Sequence, residues 1–267
     1  MNSNNLLSVN KLSVHFGGLS AVSDVSFDVR GNEVFTLIGP NGAGKTTILN
    51  LISRICEPTS GDIHFAGQRI TQLKADQIAA LGIARTFQNI ELFEQATVLQ
   101  NLLIGRHTRS YGNFWQHLFF ASSVWNDERK AREKVEEVID FLDLQHYRDN
   151  VIAGLPYGIR KVVELARALC LEPKLLLLDE PSSGLNTEET RDMAFWIDDI
   201  RSDLGIPVLM VEHDMSLVSR VSDRVLALNH GEVVAVGTPA EVKSHPGVIE
   251  AYLGKHQDVT RLRRPSP

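Results

Sequence analysis

GPNGAGKTT, residues Gly39 to Thr47, is the stretch that decides the fold, because it directly follows the apolar run Val34 to Ile38. A buried strand, a glycine-rich loop ending in lysine and threonine, and then a helical pattern bring successive backbone N–H groups and a helix N-terminus to one anion. The sequence therefore predicts a phosphate-binding loop between a strand and a helix.

The parts of this loop have separate predicted roles. The glycines allow backbone conformations that are closed to residues with a Cβ. Lys45 is expected to reach the terminal phosphates of a nucleotide, the Thr46 hydroxyl to hold magnesium, and Thr47 to reach an inner phosphate. A glycine-rich turn with a purely structural role is the alternative, but that turn requires neither the lysine nor the hydroxyl. The predicted ligand-binding residues are Gly39, Pro40, Asn41, Gly42, Ala43, Gly44, Lys45, Thr46 and Thr47.

Composition restricts the domain count, the partners and the cellular compartment that can be expected for this chain. The 267 residues, 43% of them apolar, suit one large domain or a domain with an inserted subdomain. The net charge of -6 shows no excess of the basic residues that bind the phosphate backbone of a nucleic acid, so no nucleic-acid partner is expected. Cys56 and Cys170 indicate neither a disulfide framework nor a metal site, which suits a reducing cytosol. Met1 to Leu7 does not resemble a secretory signal, and Tyr111 to Trp125 falls short of the about 20 apolar residues of a membrane span.

Two kinds of apolar pattern predict two kinds of strand. Alternating runs at Leu12 to Phe16 and Val25 to Val29 predict antiparallel strands. Continuous apolar runs at Val34 to Ile38, Leu175 to Leu178 and Val208 to Val211 predict parallel strands covered on both faces, hence an α/β fold.

The remaining segments are helical, turn-forming or tail-like. Residues from about 89 to 165 have a helical character that predicts an inserted helical subdomain. A hairpin is expected to turn at Asn229 to Gly231, with short helices after it. We expect residues 1–254 to form a single domain and residues 255–267 a flexible basic tail.

Two acids follow the second apolar run. Asp179 and Glu180 stand at the carboxyl end of a buried strand, where ligands of open α/β sheets bind. We expect Asp179 to support a phosphate-bound magnesium and Glu180 to polarise an attacking water. The alternative is that both acids cap the turn at Pro181.

The order of these motifs resembles the nucleotide-binding subunits of ABC transporters. The phosphate loop is followed by RTFQNIELF, LPYGIRKVVELARAL, LLLLDEP, SSGLN and VEHD, and the resemblance covers residues from about 7 to 254. RTFQNIELFEQATVLQNLLIGRH, LPYG and GTPAEVKSHPGVIEAYLG are most similar to the ATPase subunits of importers for branched-chain amino acids and related polar solutes. The resemblance implies a P-loop NTPase core of mainly parallel sheet, with an N-terminal antiparallel β-subdomain and an inserted helical subdomain.

The resemblance also implies roles for single residues. His213 resembles the switch histidine that holds the γ-phosphate and the attacking water near Glu180. Gln88 resembles the glutamine that contacts magnesium or water and senses the membrane partner, and Phe16 the aromatic residue that stacks on adenine. Without the resemblance, these would be an ordinary surface or core histidine, a solvated glutamine and a strand-end core aromatic.

In such subunits the signature loop meets the ATP held by the partner subunit, which assigns Tyr157 and Gly158 to that partner's site. Here LPYGI stands where LSGGQ is usual, so Pro156 replaces a serine hydroxyl and Ile159 a side-chain amide. An ordinary capped surface helix is the alternative. Asn186 stands where many relatives have aspartate.

The implied function is ATP hydrolysis, with ATP and Mg²⁺ as cofactors, that energises uptake of branched-chain amino acids or related small polar solutes. The implied partners are transmembrane permease subunits, a second ATPase subunit (identical or a paralogue) and, indirectly, a periplasmic solute-binding protein. We expect peripheral association with the cytoplasmic face of the inner membrane. The permease is expected to dock at Ile90, Leu92, Phe93 and Val98. The alternative is that these four residues are simply core of the helical subdomain.

Three other functions remain open on the sequence. Pro156 favours an ATP-dependent clamp or regulatory module with little hydrolysis, although Glu180 and His213 are retained. An ATPase of DNA repair, chromosomes or ribosomes would need a second ATPase half, a coiled coil or a zinc hook. A small-molecule kinase would need an acceptor-binding lid.

Overall fold

The computed structural model describes residues 5–88, 90–107 and 122–252. The antiparallel strands predicted near the N-terminus are present and longer than predicted, and the parallel strands occupy the predicted positions. The described strands are β1 (Asn5–Phe16), β2 (Leu19–Arg30), β3 (Val34–Ile38), β4 (Ser60–Phe65), β5 (Gln68–Arg69), β6 (Ile83–Arg85), β7 (Leu175–Asp179), β8 (Val208–Val211), β9 (Arg224–Asn229) and β10 (Glu232–Gly237).

Helices cover the sheet and form the middle of the chain. The phosphate loop leads directly into the first helix, which begins at Lys45. The helices whose ends are described are α1 (Lys45–Ile52), α2 (Ala75–Leu81), α3 (Val98–His107), α4 (Ser122–Phe141), α5 (Tyr157–Leu169), α6 (Thr187–Ser202), α7 (Met215–Val221) and α8 (Pro239–Ser244). Residues 246–252 are also helical.

The strands form two sheets. The four-stranded antiparallel sheet has the order β2-β1-β4-β5, and the six-stranded sheet has the order β10-β9-β3-β8-β7-β6. In the second sheet β9, β3, β8, β7 and β6 run parallel, and β10 is antiparallel to β9 across the predicted hairpin turn. The fold class predicted from the sequence is confirmed. The parallel order matters for function because the carboxyl ends of β3, β7 and β8 lie at one edge.

The six-stranded sheet separates two apolar cores. On one face β3, β7 and β8 contribute Phe35, Leu177 and Leu209 to a core shared with the antiparallel sheet and α1. On the other face, Leu176 and Met210 pack against α3 to α7. Every residue of β3, β7 and β8 is buried, which explains why their sequences show no alternation.

The segment predicted as an inserted helical subdomain contains α3, α4, two short 3₁₀ turns and most of α5. Its boundaries at residues 89 and 165, like the domain and tail boundaries at 254 and 255, remain predictions. The aromatic cluster around Phe114 and the basic tail lie outside the described residues. No helix in the described ranges is long and apolar enough to cross a membrane.

One residue of the predicted docking set is not available at the surface. Val98 is fully buried at the start of α3 and belongs to the core, so its assignment to a docking surface is wrong. Phe93 is 55% exposed, while Ile90 and Leu92 are half-buried. The sequence pattern does not separate these residues because all four are apolar and close in sequence.

Candidate active site

The loop Gly39 to Thr47 joins β3 to α1, and its three glycines have φ angles of 150°, 83° and 97°. These angles lie in the region that favours glycine. A Cβ on Gly39 would collide with the carbonyl oxygen of Leu228, and a Cβ on Gly44 would lie 2.6 Å from the carbonyl oxygen of Ala21. Glycine is therefore required at both positions for conformation and for space.

The loop is braced from outside by Gly231, in the turn between β9 and β10. The Gly231 N–H donates to the carbonyl oxygen of Ala43 at 3.1 Å, and the Gly231 carbonyl accepts from the N–H of Ser23 on β2 at 2.8 Å. The phosphate loop, the antiparallel sheet and the β9–β10 hairpin thus meet at one residue.

Lys45 and the helix that it begins make the loop suited to an anion. The Lys45 side chain is buried, and its Nζ donates to the carbonyl oxygens of Gly39 at 2.7 Å and Pro40 at 3.2 Å. Gly44 is the N-cap of α1 and offers no capping side chain. The positive end of the helix dipole and an ammonium group therefore face the same loop.

Asp179 lies at the end of β7 and divides its carboxylate between two partners. Its Oδ2 is 2.8 Å from Nη2 of Arg85, and its Oδ1 accepts from Thr46 Oγ1 at 3.4 Å. Arg85, at the end of β6, also donates to Asn50 on α1 and to Ser53, which directly follows α1. Arg85 therefore pairs with one oxygen of this buried carboxylate, and the other oxygen faces the threonine.

Glu180 is the centre of a polar group at the same edge. Gln88 Nε2 donates to its Oε2 at 3.0 Å, and Nδ1 of His213 lies 3.8 Å from that oxygen. The Glu180 side chain is 15% exposed, and its backbone has a φ of 51°, an unfavourable angle for a residue with a Cβ. The three residues with predicted catalytic roles therefore lie together.

A cavity of about 430 Å³ collects most of these side chains. This volume lies within the range of small-molecule sites, about 300–1,000 Å³. All nine residues of the phosphate loop line the cavity, together with Gln88, Glu180, His213 and Tyr252.

Tyr252 is a cavity residue that the sequence patterns do not indicate. It comes from the helical residues 246–252, more than two hundred positions after the phosphate loop. Its hydroxyl is buried and makes no hydrogen bond of regular geometry within the described part of the chain. Burial raises the pKa of this phenol, and the nearby Gly39 amide partly offsets the rise.

Three predicted nucleotide-binding residues lie elsewhere. Phe16 ends β1 with 51% of its surface exposed and does not line the cavity. Tyr157 and Gly158 begin α5, where the Tyr157 hydroxyl donates to the Ser183 carbonyl at 3.4 Å. The Tyr157 side chain therefore contacts the segment after Glu180, and Gly158 is buried in the first turn of the helix.

Pro156 and Asn186, which differ from the usual residues of their motifs, are both N-cap residues of helices. Pro156 is the N-cap of α5 and makes no side-chain capping bond, so the first turn of that helix lacks the usual hydroxyl partner. Asn186 caps α6, where it accepts from the N–H groups of Glu188 at 2.9 Å and Glu189 at 3.0 Å. Asparagine thus supplies a good helix cap at this position.

Comparison with known proteins shows which family this chain matches. The profile of the ABC transporter family matches residues 22–183, and the profile described as "Branched-chain amino acid ATP-binding cassette transporter" matches residues 232–258. The high-affinity branched-chain amino acid transport ATP-binding protein BraF of Pseudomonas aeruginosa is 39% identical over 94% of this chain and 98% of BraF. LivG of Escherichia coli, with the same description, is 38% identical over 94% of this chain and 98% of LivG.

Solved structures agree with these sequence matches. The crystal structure of the ADP conformation of MJ1267, an ATP-binding cassette of an ABC transporter, superimposes with a TM-score of 0.83 and 31% identity. The alignment covers 94% of this chain and 99% of MJ1267. A nucleotide-free ATP-binding cassette from an ABC transporter gives a TM-score of 0.81 with 30% identity, over 93% of this chain and 98% of the other. The resemblance noted in the motifs is confirmed, and the chain belongs to the ABC transporter family.

Proposed function

We propose that this chain binds and hydrolyses ATP to energise an importer of branched-chain amino acids or related small polar solutes. The cavity that joins the phosphate loop to Gln88, Glu180 and His213 carries the proposal. It combines fixed N–H donors and an ammonium group for phosphate with a carboxylate at the place where hydrolysis needs a base.

The residues at the sheet edge fit a magnesium ion bound to nucleotide. Hydroxyl, carboxylate and amide oxygens are the ligands that magnesium prefers, and Thr46, Asp179 and Gln88 supply them next to the phosphate loop. Bound magnesium would neutralise phosphate charge. Arg85 pairs with Oδ2 of Asp179 and leaves Oδ1 beside Thr46 for this purpose.

Glu180 is the proposed general base. Its carboxylate lines the cavity and is oriented by the Gln88 amide, so it would accept the proton of a water that attacks the terminal phosphate. His213, 3.8 Å from the same carboxylate, would contact the terminal phosphate and hold that water. Lys45 would exchange its bonds to loop carbonyls for bonds to phosphate oxygens.

The solute class rests on the C-terminal family match and on the names of the relatives BraF and LivG. We assign the chain to the cytoplasmic face of the membrane, where separate permease subunits and a periplasmic solute-binding protein would complete the importer. An identical or paralogous cassette would supply the second half of each nucleotide site. Phe93, exposed just after the Gln88 loop, would contact the permease.

Tyr157 and Gly158 are assigned to the nucleotide held by the partner cassette, and Phe16 to the adenine of the chain's own nucleotide. Their exposure at the surface supports this assignment for Tyr157 and Phe16, which are 40% and 51% exposed. Without the hydroxyl at Pro156, the contact across the dimer relies on the N-terminus of α5.

The test is the substitution Glu180→Gln, which keeps the shape of the side chain and removes the base. Phosphate release by the full chain is expected to fall by about 10²- to 10⁴-fold, while ATP affinity measured by calorimetry stays unchanged. Glu232→Gln, at an exposed position on β10, is the matched control and should retain full activity. A wild-type chain that binds ATP without releasing phosphate would instead support the clamp that Pro156 favours.

A further inference from the structure

Glu212 is a fully buried carboxylate directly after β8 and next to His213. Its own N–H donates to the carbonyl oxygen of Leu37 on β3 at 3.2 Å, so the residue continues the parallel ladder at the edge that carries the cavity. Glu212 does not line the cavity itself. A buried carboxylate costs free energy unless its oxygens are well paired, which makes its partners informative.

Four hydrogen bonds converge on this carboxylate from two separate segments. Oε1 accepts from the N–H of Ser182 at 2.9 Å and from the Ser182 hydroxyl at 2.6 Å. Oε2 accepts from the N–H of His213 at 2.8 Å and from the N–H of Asp214 at 3.1 Å. Each carboxylate oxygen of Glu212 therefore binds only one of the two segments.

The two segments are those that carry the reacting groups. Ser182 is two positions after Glu180, and His213 is the residue next to Glu212. The Glu180 and His213 side chains are 3.8 Å apart across this bridge. Bonds from N–H and O–H donors to a buried carboxylate are short and strong, so the carboxylate fixes the spacing of the two segments.

We propose that Glu212 is a positioning residue for ATP hydrolysis: it holds the Glu180 segment and the His213 segment in one geometry. The proposal rests on the proposed function of the cavity. Both oxygens are needed, because a glutamine has one acceptor oxygen and an NH₂ group that would face N–H donors on one side. The substitution Glu212→Gln would therefore release either the Ser182 segment or the His213 segment.

Kinetics and binding on the same purified full chain test this role. A misplacement of about 1 Å is enough to cost about 10²-fold in rate, so we expect Glu212→Gln to lower kcat by about tenfold or more. KM and the ATP dissociation constant are expected to stay unchanged, since none of the four bonds to the Glu212 carboxylate comes from the phosphate loop. Ser182→Ala removes one of the four bonds and should give a smaller fall in kcat with the same unchanged KM.

Glu33→Gln is the matched control for the loss of a buried carboxylate. Glu33 is 4% exposed, accepts from the N–H of Arg30 at 2.7 Å and pairs with Arg224, but it lies at the opposite end of β3. This variant is expected to lose thermal stability and to keep kcat. If Glu212 had a purely structural role, Glu212→Gln would instead behave like Glu33→Gln: it would lose thermal stability and keep kcat.

The outcomes separate this proposal from the function on which it rests. A wild-type chain without phosphate release overturns the proposed function. An active wild type with unchanged kcat in Glu212→Gln, or a rate loss that follows ATP affinity, overturns the positioning role alone. Should Glu212→Gln fail to fold, an unchanged kcat in Ser182→Ala likewise overturns the positioning role.

Discussion

Glu180 holds its carboxylate on a backbone that a glutamate adopts only under strain. A residue with a Cβ at a positive φ costs about 1–2 kcal/mol relative to the right-handed region. The backbone is kept there because the Glu180 N–H donates to the Val211 carbonyl at 2.9 Å and the Glu180 carbonyl accepts from Ser183 at 3.1 Å. Strain of this kind persists where the surrounding structure fixes the conformation.

This strain gives a prediction about stability. Glu180→Gly should be more stable than Glu180→Ala by about 1 kcal/mol, because glycine enters the positive φ region without a steric cost and alanine does not. Both variants lose the base, so urea denaturation rather than activity measures the difference. At Glu188, which lies in the regular helix α6, the same pair of substitutions should rank in the opposite order. Equal stabilities at position 180 would contradict the strain.

At the residue scale, the sequence predicts the functional residues that stand next to one another in the chain. The loop from Gly39 to Thr47 and the pair Asp179 and Glu180 are readable because a few adjacent residues carry the chemistry. Gln88 and His213 have no such local pattern and depend on the family resemblance. The sequence does not indicate Arg85 or Glu212. Asp179 pairs with Arg85, and Ser182 with Glu212, from distant parts of the chain, and only the sheet order brings these residues to the same edge.

Among the elements, α5 holds the Gln88 loop through one of its faces. Glu164 accepts from the N–H of Phe87 at 3.1 Å, and Lys161 donates to the carbonyl of Gln88 at 3.3 Å. Arg167, one turn further along, donates to the carbonyl of Glu91. The helix that begins with the signature loop is thus bonded to the loop that approaches Glu180.

The buried carboxylate of this helix gives a pH dependence. Burial raises the pKa of Glu164, and the bond from Phe87 and the charge of Lys161 offset part of the rise. A carboxyl group with a higher pKa in the folded chain stabilises the fold below its unfolded pKa, and this contribution is lost as pH rises through the folded pKa. Glu164→Gln cannot ionise and keeps an acceptor, so its stability relative to wild type should increase as pH rises from the unfolded pKa through the raised folded pKa.

Urea denaturation at several pH values measures this difference. Glu136 provides the opposite control, because its hydrogen bonds from Arg148 lower its pKa. A lowered pKa stabilises the fold above the unfolded pKa and is lost as pH falls, so Glu136→Gln should become relatively less stable toward neutral pH. A pH-independent difference for Glu164→Gln would show that its charge is not buried in solution.

The elements differ in how well the sequence predicts them. Long apolar runs predict the central strands, but β6 has three residues and β5 has two, too few for any period to appear. Both form because neighbouring strands offer unpaired backbone groups, which no local pattern records.

The whole molecule has one surface on which a membrane partner is proposed to dock. We expect Phe93→Asp to abolish solute uptake by the assembled importer while ATP binding by the isolated chain survives, because a buried charge in the interface is costly. Phe195→Asp is the matched control, since Phe195 is 52% exposed against 55% for Phe93 and lies on α6. Uptake assays in membrane vesicles measure both variants. Full uptake with Phe93→Asp would remove the assignment.

The contacts of Gly231 limit where a tag or a split reporter can be inserted in this protein. Because its two backbone groups hold Ala43 and Ser23, a tag inserted in the β9–β10 turn would disturb nucleotide capture from outside the cavity. The exposed turn at Gly205 has no neighbouring atom within 4 Å of an added Cβ and would accept the same insertion. A split reporter or fluorescent fusion therefore belongs at Gly205, and a short peptide grafted at each turn would reveal the contrast.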